Sequence, residues 1–75
     1  MMPTGLRSML TNLVDSEITL SFWENETRHE IHGRLSYSTH DCYCVRVGWI
    51  DIEFPFTAVM RVGLTGNKVW LREVE

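Results

Sequence analysis

The sequence predicts a mainly β fold, in which one short N-terminal helix is followed by a strongly bent, five-stranded antiparallel barrel. Three observations carry this expectation. Leu6, Met9, Leu10, Leu13 and Val14 recur at the spacing of one amphipathic helix. From Ile18 to Val74 the chain runs as short, mostly apolar segments broken by turn residues, with no second helical stretch. Finally, 75 residues make one domain, and a chain so short buries only about 60% of its unfolded surface, so its core alone gives marginal stability.

The helix is expected over about 5–15, with Thr4 as its N-cap and Asp15 and Ser16 after its last turn. Arg7 stands where a capping-box Glu would be, so that box is absent. A first strand, about 17–23, alternates Ile18, Leu20 and Phe22 with Thr19, Ser21 and Trp23, and Glu24-Asn25-Glu26-Thr27 forms a polar hairpin turn. The second strand, about 28–37, places Ile31, Gly33, Leu35 and Tyr37 on one face. A glycine there marks a bend or the close approach of another element. Ser38 to Asp41 are a polar break, and a third strand, about 42–47, is expected to turn Cys42 and Cys44, with Val45 or Val47, inward before the tight Gly48-Trp49 connection. The fourth strand is expected to be long, about 50–64, and must bend or bulge at Pro55, which donates no ladder hydrogen bond. Thr65-Gly66-Asn67 turns the chain into a last strand, about 68–74.

Seven Lys and Arg against ten Asp and Glu give a net charge of −3, unlike the usual basic nucleic-acid binder. A ring can still gather a few cations per subunit at one rim while the remaining surface stays acidic. No signal-peptide pattern and no membrane-span stretch of roughly 20 apolar residues is present, and two unpaired cysteines point to the cytoplasm. Cys42 and Cys44, two apart in one strand, lack the geometry of a normal disulfide. With His29, His32 and His40 they lack the regular spacing of a zinc site, so no metal or other cofactor is expected. No nucleophile stands in a recognisable catalytic motif, and the chain is not read as an enzyme. Arg7, Arg28, Arg34, Arg46, Arg61, Lys68 and Arg72 are scattered, as on a solvated face. Trp23 and Trp70 fall on the outward phase of their strands.

Ile18-x-Leu20-x-Phe22, the turn at Asn25 and Ile31-x-Gly33-x-Leu35 match the first motif of the Sm-like (LSm) family in spacing, and the chain from about Leu6 to Leu71 resembles that family. The bacterial Hfq RNA chaperones are nearest in plan. The second motif differs: an aliphatic-Arg-Gly or Tyr-Lys-His run is replaced by Phe54-Pro55-Phe56-Thr57. The family's loop Asp falls on Thr39, its base-stacking position on Asp41 and its base-reading Asn on Tyr43.

This resemblance implies a homo-oligomeric ring of roughly five to eight subunits that binds single-stranded RNA in a chaperone or regulatory role. Its candidate RNA-binding residues are Thr39, His40, Asp41, Tyr43, Pro55, Phe56 and Thr57. Its candidate subunit interface is Met60, Arg61, Val62, Leu64, Val69, Trp70 and Leu71, read as edge strands that a monomer would leave uncovered. Two other expectations stand beside it. One is an oligomeric protein-interaction scaffold without RNA binding, favoured by the acidic balance; the other is a monomeric SH3-like barrel that binds a peptide.

Overall fold

The computed structural model describes residues 5–63 and 66–72. Helix α1 spans Gly5–Leu13, followed by β1 (Glu17–Glu24), β2 (Thr27–Tyr37), β3 (Cys42–Val47), β4 (Ile50–Pro55), a 3₁₀ turn (Phe56–Ala58), β5 (Val59–Gly63) and β6 (Lys68–Leu71). Thr4, Leu64 and the expected strand end at 73–74 lie outside the described residues.

Local chemistry explains most of these boundaries. Asp15, at φ +74°, turns the chain out of α1, and its N–H donates to the Leu35 carbonyl at 2.7 Å, which ties the helix end to β2. Asn25 and Glu26 both take positive φ between Glu24 and Thr27, the pattern of a type I′ hairpin that suits the strand twist. Gly48, at φ +62°, opens the two-residue β3–β4 turn, where a glycine costs little.

The expected five-stranded antiparallel barrel is not what forms. The chain makes one mixed sheet of six strands in the order β4-β3-β2-β1-β6-β5, and its two ends do not pair. Pro55 is the cause of the extra strand: the expected fourth strand breaks there into β4, the 3₁₀ turn and β5. Because β5 keeps the chain direction of β4, β6 runs the same way as β1, and Thr19, Leu20 and Ser21 pair in parallel with Lys68, Val69 and Trp70. Met60 is the extra residue of a bulge between the Val59–Leu71 and Arg61–Trp70 pairs.

Leu10, Ile18, Leu20, Leu35, Tyr43, Val45, Phe54, Val59, Val62 and Val69 form the buried core, against which Leu6, Met9, Leu13 and Val14 pack. Each fully buried aliphatic or aromatic side chain contributes about 1.5–3 kcal/mol. Gly33 lies where β2 meets the end of β3, and a Cβ there would fall 2.4 Å from the Arg46 carbonyl oxygen. That close approach is what the glycine permits.

Two further expectations are corrected. In β3 the inward residues are Tyr43 and Val45, not Cys42 and Cys44, because Leu35 pairs with Val45 and Tyr43 with Phe54, and alternation then turns the cysteines outward. The reading of the last strand as an uncovered edge is the second: β6 lies between β1 and β5, Val69 is buried at 0% and Val62 at 6%. The two edges are β4 and β5. Met60 and Arg61 are exposed on the latter, while Trp70 and Leu71 of β6 are half-buried.

Candidate nucleic-acid interface

The two loops expected to read RNA do meet. The Phe56 N–H donates to the Asp41 carbonyl at 2.8 Å, Cys42 pairs with Pro55, and Tyr43 pairs with Phe54. His40 and Asp41 both sit at positive φ in a turn closed by the Cys42 N–H donating to the Thr39 carbonyl at 3.1 Å.

The planar groups at this cluster are largely engaged within the chain. Tyr43 is 1% exposed, stacked on Phe54 and met edge-on by Tyr37, so its ring offers no face for a base. Arg7, on the outer side of α1, donates through Nη1 and Nη2 to both Asp41 carboxylate oxygens at 2.7 and 3.2 Å. Its guanidinium also lies 4.1 Å from the centre of the Phe56 ring. The Arg7 hydrogen bond holds the Asp41 carboxyl below its ordinary range. Thr39, His40, Pro55 and Thr57 remain exposed around this clamp.

A second surface forms on the outer face of the sheet, where β1, β2, β5 and β6 bring together residues far apart in sequence. Alternation from Ile18 and Leu20, which point inward, turns Thr19, Ser21 and Trp23 outward. Their partners Arg28, Glu30 and His32 on β2 and Lys68 and Trp70 on β6 follow. The Arg28 guanidinium lies 5.1 Å from the Trp23 ring centre, and its Nη1 donates to Ser21 Oγ at 2.9 Å. Ser21 pairs with Trp70, whose ring carries the Arg61 guanidinium at 4.0 Å and Lys68 Nζ at 5.1 Å. The tract therefore reads Arg28, Trp23, Ser21, Trp70, Arg61 across four strands, with Lys68 beside it. Lys68 also pairs with Glu30, and this contact lowers the Glu30 carboxyl from its ordinary value.

Arg34 and Arg46 lie directly opposite each other farther along the same face. Asp51 binds Arg46 through two hydrogen bonds of 2.8 and 3.1 Å, and Arg34 donates to the Asp15 carbonyl at 2.6 Å. Five of the seven Lys and Arg side chains thus share one sheet face, although they are scattered in sequence. The outward phase of Trp23 and Trp70 was legible from alternation. The parallel β1–β6 pairing that unites them was not.

The other reactive residues do different work. His29 stacks on Phe22 with ring centres 5.6 Å apart, His32 Nδ1 meets Thr19 Oγ1 at 2.8 Å, and burial is the main cause that pushes the Cys44 thiol up. Among the described residues, no three His, Cys, Asp or Glu side chains converge in a way that could hold a metal. The helix is too short to cross a membrane.

Fold and face together define a small mixed-sheet protein with one helix and an aromatic, cationic outer surface. No family model, no curated protein and no solved structure matches the chain. The Sm-like and Hfq-like identity drawn from motif spacing is accordingly withdrawn, since the sheet is open and mixed and no family comparison supports it.

Proposed function

We propose that the protein binds single-stranded RNA on the outer face of β1, β2, β5 and β6. The observation that carries this reading is the interleaving of Trp23 and Trp70 with Arg28, Arg61 and Lys68 on one side of the sheet. Bases stack on indole rings and guanidinium planes, while the cations meet the phosphates, so one short strand engages both kinds of group. No covalent step is involved. Stacking tolerates any base, so the expected sequence preference is weak.

Titration of fluorescent U-rich and A-rich oligoribonucleotides at two salt concentrations tests this. Saturable binding is expected, with a log–log salt slope of about −2 if three phosphates are neutralised. Replacing Trp23 by Ala removes one stacking platform and should weaken binding about 5- to 150-fold. Absence of saturable binding at low salt defeats the proposal, as does unchanged affinity in both Trp23→Ala and Arg61→Ala. Loss of binding in Arg7→Ala alone would move the site to the Asp41–Phe56 cluster.

A second reading, an oligomeric protein-interaction scaffold, is favoured by a separate observation. The sheet leaves β4 and β5 as edges, and Trp49, in the turn that leads into β4, is 101% exposed beside the exposed Ile50.

A further inference from the structure

We infer that the β4 edge takes up an extended peptide as an added antiparallel strand, with a cation of that peptide opposite Glu53 and an apolar side chain opposite Ile52. This deepens the scaffold reading by naming its partner, and it is independent of RNA binding. The two-residue turn makes Val47 and Ile50 the first hydrogen-bonded pair of the β3–β4 ladder, and the two kinds of pair then alternate. The Phe56 N–H, which donates to the Asp41 carbonyl at 2.8 Å, lies just past Cys42–Pro55 and fixes that pair as non-hydrogen-bonded. Asp51, Glu53 and Pro55 therefore turn their main-chain groups away from β3. Because β4 ends the strand order, these groups meet no strand among the described residues. Asp51 and Glu53 each offer an N–H and a C=O; Pro55 offers a C=O, and on an edge its missing N–H costs nothing.

Side chains select the partner, because residues directly opposite share a face. Ile50 and Ile52 lie on the inward phase of β4, Ile50 exposed and Ile52 half-buried, so the added strand needs apolar side chains there. Asp51 and Glu53 lie on the outward phase and are both exposed. Asp51 is already bound by Arg46, whereas Glu53 makes no salt bridge among the described residues. A cation opposite Glu53 compensates it. A second β4 would bring carboxylates of its own, and like charges directly opposite are destabilising. The occupant is accordingly a segment in which Lys or Arg alternates with aliphatic residues. In strand addition of this kind, main-chain bonds supply affinity and alternate side chains supply specificity.

The other edge is a poorer acceptor. The bulge at Met60 leaves only Arg61–Gly63 of β5 in regular register, and bulges are one way in which edges are closed to pairing. Arg61 also repels the same basic segment. β4, in contrast, keeps an unbroken register with β3 from Ile50 to Pro55. At its start Trp49 is 101% exposed beside Ile50 at 63%, apolar surface that an added strand helps to cover.

Nuclear magnetic resonance titration of the full chain with an end-capped peptide of alternating Lys and Val tests this. Saturable binding is expected at peptide concentrations up to about 1 mM. The Asp51 and Glu53 amides, open to hydrogen exchange in the free protein, should gain protection, while those of Ile52 and Phe54, which face β3, should be protected throughout. Methylating the peptide's Lys main-chain nitrogens, which face β4, should abolish binding, and methylating its Val nitrogens should not. Glu53→Gln should weaken binding about 1.4- to 5-fold, the worth of one cross-strand charge pair. Glu53→Lys should shift the preference to a peptide with Glu in place of Lys; the side chain is exposed, so both variants should keep the wild-type circular dichroism spectrum. Absence of saturation, equal losses from the two methylated peptides, or an unchanged preference in Glu53→Lys would each overturn the inference. Protection of the Arg61–Gly63 amides in place of the β4 pair would overturn it as well, yet leave the scaffold reading standing. A single-subunit mass by light scattering, together with protection at Asp51 and Glu53, would do the reverse, removing the oligomer and supporting strand addition.

Discussion

Tyr43 shows how much one residue's meaning depends on strand phase. Read by its position in a loop motif, it is a group offered to a base; placed opposite Phe54, it is the largest side chain in the fully buried core. We expect Tyr43→Ala to cost about 3–5 kcal/mol in urea unfolding, the range for losing a buried aromatic. Cys44→Ser, on the outward phase of the same strand, should change stability by less than about 1 kcal/mol. Comparable losses in the two variants would contradict the observed phase of β3. The Arg7–Asp41 clamp makes a separate, pH-dependent prediction. Asp41 has its folded pKa depressed, so the pair's contribution is present above the carboxyl's unfolded value and disappears as pH falls through the folded value. Urea midpoints of wild type and Arg7→Gln should therefore differ at neutral pH and converge in acid. Both groups are exposed, and the effect should shrink with added salt.

Between residue and whole lie the elements, and here Pro55 and Gly33 decide the outcome. The need for a bend at Pro55 is evident from its missing N–H, but whether the strand resumes as the same ladder or a new one is not a local property. The observed 3₁₀ turn separates β4 from β5 and places them at opposite ends of the sheet. At Gly33 the local inference holds: a glycine within a strand marked a close approach, and the neighbour is the Arg46 carbonyl. Gly33→Ala should destabilise by about 1–3 kcal/mol or more, since the contact is with backbone and cannot rotate away. Val62→Glu tests the edge assignment. Were Val62 an exposed interface residue, the variant would be a folded monomer; buried in β5 opposite Val69, it should lose cooperative thermal unfolding instead.

At the scale of the molecule, a 75-residue chain with ten buried core residues among those described has little stability to spare. Docking between copies would add to it by mass action, so the midpoint of thermal unfolding should rise with protein concentration in wild type. The acidic total charge is compatible with an RNA-binding face because the charges are sorted in space. Arg28, Arg61 and Lys68 gather around the tryptophans with one carboxylate, Glu30, while Asp51 and Glu53 lie on the distant β4. Composition records only the sum.

From its sequence alone this protein determines one helix, a succession of short strands, the inward phase of Ile18, Leu20 and Leu35, and the demand for glycine at position 33. These follow from rules that act within a few residues: the periods of 3.6 and 2, the missing Cβ and the missing N–H. Only the tertiary structure decided that β6 enters between β1 and β5 in parallel, that the sheet stays open, and that cations dispersed along the chain share a face with two tryptophans. Strand neighbours are chosen by packing across long loops, and alternation fixes a residue's face without naming the strand beside it.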